Sequence, residues 1–165
     1  MKRIVVLFSL FAVMSLSSVA RAASTTDTNL FAQSGRFGLG LGSGTFATGA
    51  TAKFYLADKL ALQGILGLGY GWGFGANINV DVVYEMPKIW GNDVLSINWH
   101  IGGGGALALY RGSSTGIGIE AVGGPSLQLA KVPLEFVVDL RPTFYFGSGW
   151  NTFYPGAGSS VRYFF

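Results

Sequence analysis

The sequence contains no cysteine, which excludes a disulfide framework and leaves no thiol to lipidate behind a leader. It has a single histidine, His100. A metal site would therefore draw most of its ligands from carboxylates, and a catalytic histidine would have no duplicate. Only 12% of the residues are charged, too few for a surface bathed entirely in water. The one long apolar run, Ile4 to Leu16, is interrupted by Ser9 and Ser15. It falls short of the roughly 20 residues a membrane helix requires, and no later segment approaches that length. A clustered basic patch is also missing. The formal excess of +3 is carried by Lys2, Arg3 and Arg21, so the chain offers no footing for nucleic acid.

Those three cations belong to a segment that reads as a leader. Lys2 and Arg3 form a positive start, Ile4 to Leu16 an apolar centre, and Ala20-Arg21-Ala22 a small-x-small cleavage site. This is the pattern of a secretory signal peptide over residues 1–22. The expected division is then a signal peptide (1–22), a short lead (23–35) and one domain (36–165), with eight basic and eight acidic residues left after the leader. An apolar exported chain without a spanning helix has one main way to cross a membrane, a closed barrel.

What is abundant is period two, the signature of strands. Eight are predicted, near residues 36–43, 48–56, 60–70, 76–86, 94–109, 115–130, 134–146 and 153–165. The fourth shows the pattern plainly: Ile78, Val80, Val82, Tyr84 and Met86 alternate with Asn77, Asn79, Asp81, Val83 and Glu85. Turn formers separate the runs, as at Ala57-Asp58-Lys59, Pro87 to Asp93 and Lys131-Val132-Pro133. The fold class expected is all-β, an eight-stranded antiparallel up-and-down transmembrane barrel.

Charge placement supports a membrane over a soluble sandwich. Arg36, Lys53, Asp81, Glu85, Glu120, Glu135, Asp139, Arg141 and Arg162 all fall opposite the apolar set of their own strand. The other face carries no charge, and a Lys or Arg there would cost about 2–4 kcal/mol at the bilayer midplane. A barrel of eight strands is just wide enough for side chains to fill. The nine charges, with His100, Asn77, Asn79 and Asn98, are thus expected to form a packed lumen network, paired because a lone buried charge is expensive.

The leader, the eight alternating strands and the ending Gly158-x-x-Val161-x-Tyr163-x-Phe165 resemble small outer-membrane barrels of Gram-negative bacteria, the OmpA-transmembrane and OmpX type. Phe37-Gly38-Leu39-Gly40-Leu41-Gly42 and Lys53-Phe54-Tyr55-Leu56-Ala57-Asp58 are similar to an uncharacterised subgroup of them. The resemblance implies an outer-membrane address with both mature termini periplasmic. It also implies that Gly158, Val161, Tyr163 and Phe165 form a C-terminal signal read by the barrel-assembly machinery. Gly156 stands where that signal usually has a polar residue. In this orientation Trp72, Phe74, Tyr110, Trp150, Phe153 and Tyr154 make an outer aromatic rim, either an interfacial girdle or a docking patch for lipid or protein.

Chemistry has few footholds. The clusters Gly69-Tyr70-Gly71-Trp72-Gly73 and Gly102 to Gly105 follow strand alternation with no helix opening after them, so they are not phosphate loops. Ser96, Asn98 and His100 share a face with Glu120 nearby, which makes a Ser-His-acid hydrolase thinkable. That set points inward, however, where a lipid-modifying enzyme needs an open site. Asp81/Glu85 and Glu135/Asp139 are each four apart on one strand, about 13 Å, too far for direct acid–base pairing. The expected role is a non-enzymatic envelope protein in contact with outer-membrane lipids, without cofactor or metal. The alternatives are a narrow pore for water or small solutes and a lipid-modifying barrel.

Overall fold

The computed structural model describes residues 30–32, 35–45, 47–69, 74–110, 115–129, 131–147 and 150–165. The leader, residues 23–29 of the lead and Trp72 lie outside them. The described elements are all strands: β1 (Phe37–Ser43), β2 (Ala47–Ala57), β3 (Leu60–Gly69), β4 (Phe74–Glu85), β5 (Trp90–Gly91), β6 (Leu95–Tyr110), β7 (Thr115–Leu129), β8 (Leu134–Gly147) and β9 (Trp150–Phe164).

Eight of these close into an antiparallel barrel. Neighbours in space are neighbours in sequence, β1 pairs with β9, and β4 pairs with β6 to complete the ring. The predicted strands agree with the barrel strands to within three residues. The ninth element, β5, is a two-residue bridge inside the connection Pro87 to Asp93. It adds to β6 through Trp90↔Ile97 and Gly91↔Ser96. Asn92 shapes the turn that follows, its Oδ1 accepting from the N–H of Val94 at 2.9 Å and Leu95 at 3.1 Å, the usual use of an Asx side chain.

Alternation decides the faces. Leu41, Leu66, Leu68, Val138, Leu140 and Ile117 stand outward, and Leu68 is 76% exposed. On the opposite parity, Lys53, Asp81, Glu85, Glu120, Glu135, Asp139, Arg141 and Arg162 are buried inside. Leaving so much apolar surface outside while burying charge inverts the order of a soluble protein.

The interior is layered. At the end holding both termini, Phe31, Ala32, Tyr55, Ala61 and Phe164 form an apolar cluster with Val83 and Val122. Towards the β8–β9 hairpin a second cluster joins Ala106, Ala108 and Tyr145, with Tyr154 packed against it. Polar side chains occupy the space between. Glycine makes that packing possible at defined points. A Cβ on Gly104 would stand 1.9 Å from Val80 O and 2.7 Å from Asp81 Oδ1, and one on Gly158 would meet Arg141 Cδ at 3.0 Å.

The wall is uneven. β1 stops at Ser43, opposite Ser159, while β9 continues beyond Ser159 to Trp150, paired among the described strands with β8 alone. The turn after β1 folds inward instead. Thr45 is buried and donates to the carbonyl of Arg141 at 3.2 Å. Prolines interrupt the neighbouring ladders, with Pro142 facing Pro155 and Pro125 facing Trp99, because proline supplies no N–H to a sheet.

Candidate functional site

Two charged clusters fill the lumen, one above the other. The first lies nearer the termini. Lys53 bridges Glu85 and Glu135, the latter at 2.8 Å. Arg162 meets the second oxygen of Glu135 at 2.9 Å. It also donates to Gln63 Oε1 at 3.1 Å and Thr51 Oγ1 at 3.2 Å. Gln128 donates to Glu135 at 3.3 Å and the Tyr55 hydroxyl to Glu85 at 3.4 Å. Two cations thus face two carboxylates and the charges cancel, as a buried set must to offset desolvation.

The second cluster is centred on Arg141. Its guanidinium contacts Asp81 at 2.9 Å, Glu120 at 3.2 Å and Asp139 at 3.4 Å. His100 Nε2 lies 2.6 Å from Asp139 Oδ1. Asn79 and Thr143 donate to the two oxygens of Glu120 at 2.8 and 3.3 Å. Here one guanidinium serves three carboxylates, and His100, Asn79 and Thr143 hydrogen-bond the same acids. The side chains of the ion-paired residues are at most 3% exposed.

The structure thus brings Lys53, Asp81, Glu85, His100, Glu120, Glu135, Asp139, Arg141 and Arg162 into the lumen and sets Arg36 apart. Arg36 precedes β1, is half-buried, donates to the Leu30 carbonyl at 3.3 Å and lies over the Phe31 ring at 5.0 Å. Period two assigned it inward, but the strand begins one residue later. The acid beside His100 is also different from the one expected. Glu120 pairs across from Gly104 of β6, four residues beyond His100, and Asp139 of β8 takes its place because the strands lean across the lumen.

Several interior residues were not among the candidates. Thr51, Gln63, Gln128 and Thr143 hydrogen-bond the charges, and parity alone marks them as inward. Phe31 carried no such signal, since it lies before the first strand. Along β4, β6 and β7, Asn77 Oδ1, Asn79 Oδ1, Asp81 Oδ1, Asn98 Nδ2, His100 Nδ1 and Ser126 Oγ keep hydrogen-bonding capacity unspent within the described residues. His100, Ser96 and Asn98 are 1% exposed or less; His100 Nε2 lies against Asp139, while the Ser96 hydroxyl donates to Asn98 Oδ1 at 3.2 Å.

The closing strand alternates as its sequence reads. Val161, Tyr163 and Phe165 point outward, Tyr163 and Phe165 edge to face at 5.1 Å, while Gly158, Arg162 and Phe164 point inward and are buried. At the opposite end Phe153 is exposed. Tyr154 turns inward and packs edge-on against Tyr145 at 5.9 Å, so it leaves the aromatic rim. Phe74, Tyr110 and Trp150 sit at the tips of β4, β6 and β9, and only the backbone of these three is described.

Neither a family model nor a curated protein matches the sequence. Among solved structures, the crystal structure of the N-terminal β-barrel domain of Pseudomonas aeruginosa OprF is similar. The TM-score is 0.51 at 15% identity, over 80% of this chain and 98% of that one. At that identity the likeness concerns the fold: this chain and the OprF domain share a closed eight-stranded barrel.

Proposed function

We propose that the protein is an integral outer-membrane barrel whose packed polar lumen makes it a structural or interaction element of the cell envelope. One observation carries this reading. Every charged side chain of the described barrel strands is turned into a closed ring, and their outer face is free of charge and mostly apolar. Such a surface suits hydrocarbon, where all strand edges must be paired and charges excluded. The similarity to the OprF barrel domain supports the address, and the closing residues Gly158, Val161, Tyr163 and Phe165 suit recognition by the assembly machinery. Among the described residues the polar side chains of the lumen are buried and packed against one another.

The test is behaviour in lipid. The refolded protein should migrate faster on gels before boiling than after, and should add no steady conductance to a planar bilayer. Helical circular dichroism without the mobility shift would sink the barrel. A second reading, a narrow path for water or small solutes, is favoured by the unspent polar atoms along β4, β6 and β7. Steady conductance altered when Arg141 or Asp139 is neutralised would replace the first reading with the second.

A further inference from the structure

We propose that the outer face carries a lipid site at the seam of the first and last strands. A groove across β8, β9 and β1 takes one acyl chain of a membrane phospholipid, and the hydroxyls of Ser43, Thr48 and Ser159 hold its ester group. The inference rests on the membrane reading above.

The outward positions of the described strands are otherwise apolar, small or aromatic, apart from Thr115 and Asn151 at the tips of β7 and β9. Three aliphatic hydroxyls nevertheless stand together. Ser43 pairs directly with Thr48 on one side and Ser159 on the other. They stand where β1 ends and β2 begins, with β9 running on past them. Thr48 pairs with Leu68, which is exposed, and Phe153 is exposed further along β9. A hydroxyl in hydrocarbon is costly unless bonded. Ser43 and Ser159 share one hydrogen bond at 3.2 Å, and the Ser159 N–H adds another to Ser43 Oγ at 3.3 Å. That leaves one of their protons, and the Thr48 hydroxyl, available to an acceptor from outside.

The same hydroxyls line a groove of about 440 Å³ whose apolar sides are Leu41, Phe136, Val138 and Val161. A shallow apolar groove with donors at one end matches an ester lipid: the chain lies along the apolar side chains and the carbonyl accepts from the hydroxyls. A second copy fits less well, because two-fold pairing would set one concave groove against another.

The test counts lipid on the folded protein. Wild type and a Ser43→Ala/Thr48→Val/Ser159→Ala variant are reconstituted with palmitoyl-oleoyl phosphatidylethanolamine, or with its dialkyl ether analogue, and bound lipid is read by native mass spectrometry. Wild type should retain one ester lipid. Occupancy should fall about tenfold in the variant and with the ether lipid, as loss of one or two neutral hydrogen bonds implies. An Ile117→Ala control elsewhere on the outer face should retain the lipid. Equal retention by variant and wild type, or no lipid on a wild type that shows the heat-dependent gel shift, overturns the groove alone. A dimer mass abolished by the variant also overturns it and makes the seam a self-contact. A wild type without the gel shift overturns the membrane reading and the groove together.

Discussion

Phe31 stacks on Phe164, ring centroids 4.9 Å apart and planes 20° from parallel. A residue from before the first strand therefore covers the mouth that the last strand completes. Tyr55 leans on the Phe164 ring at 5.9 Å, and the Arg36 guanidinium lies over Phe31 at 5.0 Å. The terminal end of the lumen is closed by aromatic packing contributed from three places in the chain.

Replacing Phe31 with Ala removes that stopper. The variant should lose about 3 kcal/mol against unfolding in urea, the usual cost of deleting a buried Phe, while still showing the heat-dependent gel shift. An unchanged urea midpoint would mean that the lead adds nothing to the barrel.

Arg141 contacts three carboxylates. Arg141→Met leaves that acidic group without its cation, so the loss should be about 3–5 kcal/mol. Adding Asp81→Asn should recover part of it, because one stranded charge is then gone. A double variant no more stable than Arg141→Met would show that the cluster does not act as a unit.

Two neighbouring glycines should respond differently. Gly104 faces inward, and a methyl group added there would stand 1.9 Å from Val80 O and 2.7 Å from Asp81 Oδ1. Gly104→Ala should cost about 1–3 kcal/mol through backbone displacement. Gly105 faces out, and the nearest atom to an added methyl is Gly118 O at 3.7 Å, so Gly105→Ala should stay within about 0.5 kcal/mol of wild type. Unfolding midpoints of the two variants compare them directly, and similar losses would contradict the assigned faces.

The outer face can be probed with charge. Val138 is exposed near the middle of β8, and Val138→Arg should destabilise the barrel in bilayers by about 2–4 kcal/mol. Asp93→Arg, in the connection before β6, should be nearly silent. Equal folding yields in lipid vesicles would argue against hydrocarbon at Val138.

By itself the sequence determined the strands, their faces and the closed wall. In a barrel each residue points in or out by parity, so Ile78, Val80 and Val82 against Asn77, Asn79 and Asp81 were assigned by counting. Arg36 apart, it also determined which charges are inside, because an apolar chain with so few of them has only one face to put them on. Only the tertiary structure decided the partners. Asp139 reaches His100, Arg141 draws in Asp81 from β4 and Glu120 from β7, and Lys53 spans Glu85 and Glu135, since strand tilt brings together side chains on strands that are not neighbours. It decided too that Arg36 stays at the mouth with Phe31, and that the turn after β1 tucks Thr45 inward against the Arg141 carbonyl. The physical reason is range. Alternation is a local property of the backbone, whereas pairing across the lumen depends on register and tilt summed around the whole ring.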